Sequence, residues 1–323
     1  MGDIRLDRRR DVIVEGVVKT GSLVQRKVGG DRAGEVGMLN FLASPKVTTD
    51  DILAPALRLT AQAARGRRIV AAQDTTEVNF SGRDKRRRGL GPAGDGKTPG
   101  FFTHAVIAID ADDEAVIGPV SAHIWTREAS QAAKDGERRF EAKESARWLS
   151  GADKAADVLV DATRIIVVGD RESDIYPVFA RRPQRVDLVV RAAQNRALAD
   201  GGLLFEASSG WPALGGQIVK VEPKERTFIS DRAKLVSRSD KRSLSALADK
   251  GRTAKILIKA GPVTIRRSSK GGLQDDPKTL ALNMVEAVEI DPPAGVKPLL
   301  WRLITTCPSP LWKMPWRWCA AIV

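Results

Sequence analysis

Two aspartates lie at positions where a carboxylate is held rigidly and can still reach a cleft. Asp170 follows the β-branched run at residues 165–168 and Gly169, which is the pattern of a buried strand at its end. Asp74 lies in a second apolar segment that begins at residues 69–70. Burying an unpaired carboxylate costs several kcal/mol, so such a residue is paired, bound to a cation or exposed in a cleft. The two acids therefore indicate either a cation site or ordinary strand-end caps and surface ion pairs.

The composition favours a polyanionic partner. The chain has 323 residues, and its 53 Lys and Arg outnumber its 40 Asp and Glu, which gives a formal charge of +13. This charge favours nucleic acid over a membrane surface, although a basic protein without such a partner is the alternative. Cys307 and Cys319 indicate neither a disulfide framework nor a zinc site. The N-terminus has no apolar signal-peptide core, and no apolar run approaches the roughly 18 residues of a membrane span. We expect a cytoplasmic protein with no membrane partner.

A basic loop follows the Asp74 segment. Residues 81–100 are rich in glycine and charge, and they contain R-D-K-R-R-R at 83–88. The candidates for contacts with DNA phosphates are Lys85, Arg86, Arg87 and Arg88. The alternative is a solvated loop with no ligand.

The order of predicted elements indicates a mixed α/β sheet. Residues 1–66 are predicted to be helical, with a helix that Thr48 or Thr49 caps and that runs to about Arg65. A strand at 68–80 and a hairpin of strands 101–111 and 115–126 follow. His104 and His123 in this hairpin are interpreted as strand histidines. A helix over 136–160, the Asp170 strand, a helix capped by Ser173 and a strand over 185–191 complete the series. Parallel neighbours in such a sheet would bring the two aspartate-bearing strands side by side.

The rest of the chain is predicted to contain a β-rich insertion and a return to the core. Alternating segments and Gly-Gly turns mark residues 198–296, and a strand over 299–305 follows. The last 17 residues hold both cysteines, three tryptophans and three prolines without a regular period, as a tail read in a shifted frame would. The predicted units are a helical N-terminal region at 1–66, the first part of the core at 67–197, the insertion at 198–296, the return strand at 297–306 and the aberrant tail at 307–323.

Six short motifs resemble, in the same order, those of the insertion-sequence-four group of bacterial transposases, the group of transposon-five-like enzymes. They are D-T-T-E at 74–77, G-L-G-P at 89–92, G-D-R-E-S-D at 169–174, V-V-R-A-A-Q-N-R at 189–196, L-N-M-V-E-A-V-E-I-D-P-P at 282–293 and L-L-W-R-L-I-T-T at 299–306. L-N-F-L-A-S-P-K-V at 39–47 resembles the stretch that precedes that group's catalytic core. The resemblance covers roughly residues 33–306.

The resemblance implies a ribonuclease-H-like mixed sheet with flanking helices, a helical N-terminal region and a β-rich insertion. It implies that Asp74 and Asp170 are catalytic carboxylates that bind two Mg²⁺ ions, for which Mn²⁺ can substitute. Arg191, and less directly Arg196, would contact DNA phosphate. The supporting motif residues are Thr75, Thr76, Glu77, Arg171 and Glu172. The implied partners are double-stranded DNA, as terminal inverted repeats and target, and a second copy of the chain bound on DNA. The implied location is the bacterial nucleoid.

The sequence departs from the group at its third carboxylate. That group carries it in the pattern Tyr-x2-Arg-x3-Glu-x6-Lys after the insertion, whereas the single tyrosine here is Tyr176. The first hypothesis is therefore a transposase with little or no activity. The second is an active metal-dependent nuclease that recruits Glu286 or Glu289. The third is a non-enzymatic DNA-binding inhibitor of a full-length relative.

Overall fold

The computed structural model describes residues 3–80, 89–94, 98–127, 140, 144–222, 251–268 and 275–308. The predicted phosphate-binding residues Lys85, Arg86, Arg87 and Arg88 lie outside these described residues, as does most of the predicted tail. Within the described part of the chain, no helix is long and apolar enough to cross a membrane.

Four helices precede the sheet, in the region that the sequence predicts to be helical. They are α1 (Ile4–Thr20), α2 (Gln25–Gly29), α3 (Arg32–Ala43) and α4 (Thr49–Ala63). Thr48 caps α4 as predicted, because its hydroxyl accepts a hydrogen bond from the Asp51 backbone N–H and the Asp51 carboxylate accepts one from the Thr48 N–H. This reciprocal capping satisfies two N–H groups that the first turn of a helix leaves without partners.

Ten strands form one mixed sheet within the described residues. They are β1 (Arg68–Asn79), β2 (Gly91–Pro92), β3 (Pro99–Asp110), β4 (Val116–Trp125), β5 (Arg164–Gly169), β6 (Val186–Arg191), β7 (Gly215–Val221), β8 (Arg252–Arg266), β9 (Thr279–Ile290) and β10 (Leu300–Thr305). The order across the sheet is β4–β3–β1–β5–β6–β10–β9–β8–β7. The short strand β2 pairs with β3 on the same side as β4, opposite β1. The predicted α/β class with a mixed sheet and flanking helices is confirmed, and it is consistent with a ribonuclease-H-like fold.

The two strands that carry the aspartates are parallel neighbours. β1 pairs with β5, and β5 pairs with β6, in parallel, whereas every other pairing in the sheet is antiparallel. The predicted hairpin is β3 and β4. The strands of the predicted insertion, β7 to β9, extend the same sheet through β10, which lies between β6 and β9. The predicted unit boundaries themselves stay predictions.

The two faces of the central strands have different surroundings. Ile69, Ile165 and Leu188 belong to one cluster with Trp148 and Phe179, which lie on α5 (Arg147–Val158) and α6 (Tyr176–Arg181). We call this side the helix face. Side chains alternate along a strand, so the next residues point to the other side, where Val70, Ile166 and Val168 pack with Cys307. We call this second side the acid face, because the same alternation brings Asp74 and Asp170 onto it.

A buried carboxylate ties the turn after β5 to the segment after β6. The Asp174 side chain is 0% exposed, and its Oδ2 accepts hydrogen bonds from the backbone N–H groups of Ala193 and Gln194 at 2.7 and 2.8 Å. Its Oδ1 accepts bonds from Nε and Nη2 of Arg196, whose side chain is 6% exposed. Four donors thus compensate the desolvation of this charge, and they hold two of the resemblance motifs together.

We expect Asp174→Ala to lower the free energy of unfolding by about 3–5 kcal/mol, because it leaves the Arg196 guanidinium buried without its counter-charge. The measurement is urea denaturation at pH 7. Asp157→Ala, on the exposed side of α5, is the matched control and should change the free energy by no more than about 0.5 kcal/mol. Equal small effects for both variants would contradict the role assigned to Asp174.

Candidate metal centre

The register of the parallel strands brings Asp74 and Asp170 to one level of the sheet. β1 and β5 pair with a constant offset of 96 residues, from Arg68 opposite Arg164 to Ala72 opposite Val168. The same offset relates Asp74 to Asp170, two residues further on, where the Asp170 backbone is still extended. Neighbouring strands lie about 4.8 Å apart. Continued by two residues, this offset would put the two carboxylates on one face about one strand spacing apart, a separation that a single cation can bridge.

Each of the two carboxylates is oriented by a backbone N–H. The Thr75 N–H donates to Asp74 Oδ1 at 2.7 Å, and the Glu172 N–H donates to Asp170 Oδ1 at 2.9 Å. Both acids are accessible, since Asp74 is exposed and Asp170 is half-buried. One oxygen of each is thus engaged by the protein, and hydrogen bonds to the second are not observed among the described residues.

Asp170 caps the short 3₁₀ turn at Arg171–Ser173. The predicted capping of α6 by Ser173 is wrong, because α6 begins at Tyr176 and Ile175 precedes it without a side-chain cap. The Ser173 hydroxyl instead donates to the Asp170 carbonyl oxygen at 2.7 Å. The polar side chains of this motif therefore stabilise the turn that carries Asp170 and leave the start of the helix uncapped.

Arg191 lies beside Asp170. β5 and β6 pair in register up to Gly169 opposite Val190, so the next residues, Asp170 and Arg191, fall opposite each other. Burial lowers the pKa of the Arg191 guanidinium, the positive charge of Arg171 adds to this lowering, and the Asp170 carboxylate opposes it. The acid face thus carries Asp74 on β1, Asp170 directly after β5 and the Arg191 guanidinium at the end of β6.

The other predicted site residues are divided between the faces. Thr76 is exposed and alternates onto the acid face with Asp74, whereas Thr75 and Glu77 point to the helix face. Glu77 lies against Gly94, where an added Cβ would come within 2.7 Å of Oε2. Arg171 is exposed. The predicted phosphate contact of Arg196 stays a prediction, and the observed role of this residue is its buried pair with Asp174.

A hydrogen-bonded chain runs on the helix face behind the two acids. Nε of Arg147 can only donate, so the Thr75 Oγ accepts from it at 2.9 Å, and the Thr75 hydroxyl then donates to Nδ1 of His104, also at 2.9 Å. Nε2 of His104 donates to Gln73 Oε1 at 3.2 Å. Each proton has a defined place if His104 is neutral. The pKa of His104 is lowered from 6.5 to about 4, mainly by burial and next by the charge of Arg147. This pKa agrees with a neutral ring.

The donor set fits one divalent cation better than two. Carboxylate oxygens on a rigid sheet are ligands that Mg²⁺ and Mn²⁺ accept. A group of three or more His, Cys, Asp or Glu side chains that could hold a metal is not found among the described residues. The assignment of Asp74 and Asp170 as metal ligands stays a prediction, and the described chain supplies no third ligand of these types beside them.

The two acids of the nuclease hypothesis are engaged elsewhere. Glu286 pairs with Arg302, with 2.7 Å between Oε2 and Nε, on the helix face. Glu289 pairs with Arg252 at 2.7 Å and accepts a bond from the Leu299 N–H. The Arg252 hydrogen bonds lower the pKa of the Glu289 carboxyl. β9 also lies three strand spacings from β5, roughly 14 Å. Recruiting either acid would break a buried ion pair.

Sequence reasoning missed two residues that organise the site. The sequence places Arg147 only in a predicted helix, and Asp174 is a motif residue to which the sequence gives no role. The available signal for Asp174 is an acidic residue directly before the apolar residues Ile175, Val178 and Phe179. The sequence around Arg147 shows no comparable signal, because its partners Thr75 and Glu172 lie 72 and 25 residues away.

No model of a known protein family matches this chain. The resemblance to the insertion-sequence-four group therefore rests on the short motifs. Three of those motifs, at 74–77, 169–174 and 189–196, lie on neighbouring strands of the sheet or in the segments that follow them.

We expect His104 to make the protein less stable in acid. Its pKa is lower when folded, about 4, than the ordinary value of 6.5, so the unfolded chain binds the proton more tightly between these two pH values. The His104 contribution to the free energy of unfolding should fall by up to about 3 kcal/mol as the pH drops from 6.5 to 4. Denaturation curves across this range measure it.

The control for this pH dependence is a comparison of variants. His104→Gln should lose this part of the dependence, whereas His123→Gln, on the exposed partner residue in β4, should retain it. Identical pH profiles for wild type and His104→Gln would show that other groups govern the acid response.

Proposed function

We propose that this chain is a derivative of a DDE transposase that binds DNA and one divalent cation, and that its phosphodiester chemistry is absent or strongly impaired. The observation that carries the proposal is the parallel pairing of β1 with β5 and of β5 with β6. Continued past its last pairs, Ala72 with Val168 and Gly169 with Val190, this register would align Asp74, Asp170 and Arg191 on the acid face. The six sequence motifs and the charge of +13 support it.

Asp74, Asp170 and Arg191 would bind different groups in the proposed site. A bound divalent cation would neutralise charge on a scissile phosphate and activate a nucleophile. The Thr75 and Glu172 N–H groups keep the Asp74 and Asp170 carboxylates turned to the acid face. Arg191 would bind a phosphate oxygen beside them, since a guanidinium matches the geometry of phosphate.

The proposed impairment follows from the ligand count. Two-metal phosphodiester chemistry depends on positioning and on charge stabilisation around both ions. The third carboxylate of the group belongs to a Tyr-x2-Arg-x3-Glu-x6-Lys pattern that this sequence lacks, and no substitute lies beside Asp74 and Asp170 among the described residues. We expect the loss of several orders of magnitude in strand cleavage relative to an enzyme with three carboxylates.

The same ligand count favours a second candidate function. A chain that keeps DNA contacts and lacks the third carboxylate would act as a non-enzymatic inhibitor of a full-length relative. It would occupy the terminal repeats, or it would pair with an active subunit on DNA. DNA binding is common to both candidates, so the tests below separate binding from cleavage.

We expect the wild-type protein to bind one Mn²⁺ with an affinity that depends on both aspartates. Asp74→Asn and Asp170→Asn should each weaken binding by at least about 10-fold, because each removes one of two carboxylate ligands. Titration calorimetry or the loss of the free Mn²⁺ paramagnetic signal measures this affinity. Asp157→Asn on the exposed side of α5 is the control. Unchanged affinity in both site variants would refute the proposed cation site.

Nicking of supercoiled plasmid DNA in Mg²⁺ tests the cleavage step. We expect the wild-type protein to nick the plasmid no faster than the Asp74→Asn and Asp170→Asn variants do. Nicking by wild type that disappears in both variants would overturn the proposed impairment and favour the nuclease hypothesis.

We expect the protein to retard double-stranded DNA with an affinity that falls steeply as salt rises. Arg191→Ala should weaken binding at all sequences and reduce the slope of log K against log salt by about 1, the value for one phosphate contact. Arg58→Ala, at an exposed position of α4, is the matched loss of charge and should leave the slope unchanged. Equal slopes for wild type and Arg191→Ala would remove Arg191 from the proposed interface.

A further inference from the structure

The Arg147 guanidinium is linked to each candidate carboxylate by two successive hydrogen bonds. The first joins it to a side chain, and the second joins the backbone N–H of that residue to the aspartate. The Arg147 Nε donates to Thr75 Oγ at 2.9 Å, and its Nη2 donates to Glu172 Oε2 at 2.7 Å. The backbone N–H groups of these same two residues hold Asp74 Oδ1 and Asp170 Oδ1. The Arg147 side chain thus joins the two segments that orient the acids, from the opposite side of the sheet.

This link crosses a place where the sheet itself provides no connection. The described pairing of β1 with β5 ends at Ala72 opposite Val168, two residues before the acids. Beyond that point, Asp74 stays in β1, whose pairing with β3 continues to Asn79, whereas Asp170 enters a turn. Without a further contact, the distance between the acids would depend on the freedom of that turn.

The Arg147 side chain is itself held in one orientation. It is 13% exposed, its Nη1 donates to the Glu144 carbonyl oxygen at 2.8 Å, and its guanidinium carbon lies 5.5 and 5.3 Å from the ring centres of Trp125 and Trp148. Three donors of one planar group therefore bind three separate segments. A lysine ammonium at the same position could not reproduce this planar fork.

We propose that Arg147 is a positioning residue that sets the separation of Asp74 and Asp170 and thereby the affinity of their cation site. This inference rests on the proposed cation-binding function of the two acids. It assigns to Arg147 no contact with the cation or with DNA. The alternative is that Arg147 only stabilises the start of α5, through its bond to the Glu144 carbonyl oxygen.

The two roles differ in what a substitution changes. Arg147→Lys should lower the Mn²⁺ affinity of the folded protein by about 10- to 100-fold, as losses of outer contacts to metal ligands do. Arg164→Lys is the matched control, because Arg164 also binds a carboxylate, that of Asp187, but at the opposite end of β5. Arg164→Lys should change the Mn²⁺ affinity by less than about 2-fold relative to the wild type. A purely structural role predicts a lower melting temperature for Arg147→Lys with unchanged affinity, and that result would overturn the proposal.

Milder variants keep the test decisive if Arg147→Lys folds poorly. Thr75→Val removes the hydroxyl but keeps the N–H that binds Asp74, and Glu172→Gln removes the charge but keeps the N–H that binds Asp170. Each should weaken Mn²⁺ binding, and neither should weaken it further when combined with Arg147→Lys, since all three act through one link. Additive losses would contradict a shared link.

Amide hydrogen exchange separates a failure of this inference from a failure of the proposed function. In the cation-free protein, Arg147→Lys should accelerate exchange of both the Thr75 and the Glu172 N–H groups, whereas Arg164→Lys should accelerate neither. If wild type binds no Mn²⁺ and both amides respond, the cation site is wrong and the link stands. If wild type binds Mn²⁺ and neither the amides nor the affinity respond to Arg147→Lys, only the role of Arg147 is overturned.

Discussion

The arrangement of the acid face depends on the buried carboxylate of Asp174. Its four hydrogen-bond donors come from the segment that follows β6, and it belongs to the turn that follows β5. A charge with 0% exposure is tolerated only with such compensation. Because both turns are fixed to each other, Asp170 and Arg191 keep their relation where the regular pairing of β5 and β6 ends. Arg147 likewise joins β1 to the turn after β5. The turn that carries Asp170 is therefore tied to β1 on one side and to the segment after β6 on the other.

The alternation of side chains separates the packed core from the acidic side chains in the central strands. Ile69, Ile165 and Leu188 turn to the helix face, where Trp148 and Phe179 bury them. The neighbouring positions turn to the acid face, where Asp74 lies within β1, Asp170 follows β5 and Arg191 ends β6. Parallel pairing then brings strand ends of the same polarity to one edge, which places residues distant in sequence side by side. A shift of the register by one residue would move Asp74 to the helix face, so the apolar pattern that drives folding also fixes the position of the acids.

The part of the fold that follows local patterns could be predicted from the sequence. The apolar runs before Asp170 and around residue 70 are strands, the acidic turn joins a hairpin, and Thr48 caps α4, since each of these depends on neighbouring residues. Contacts between side chains far apart in sequence could not be predicted in the same way. The resemblance implies a DNA contact for Arg196, which stays a prediction. The partner that the structure shows for this side chain is a carboxylate 22 residues earlier, and no local pattern indicates it. Ser173 was expected to cap a helix, but its hydroxyl bonds within the preceding turn.

The ion pairs of Glu286 and Glu289 oppose the use of either residue as a substitute third metal ligand. Glu286 and Glu289 have side chains that are 9% and 1% exposed, and each is bound to an arginine at 2.7 Å. Moving either carboxylate to a cation near Asp170 would leave Arg302 or Arg252 without its partner. Such a break costs about 3–5 kcal/mol when the pair is buried, in addition to the displacement across roughly three strand spacings. In the described structure, both carboxylates therefore stay with their arginines, and neither lies at the acids of β1 and β5.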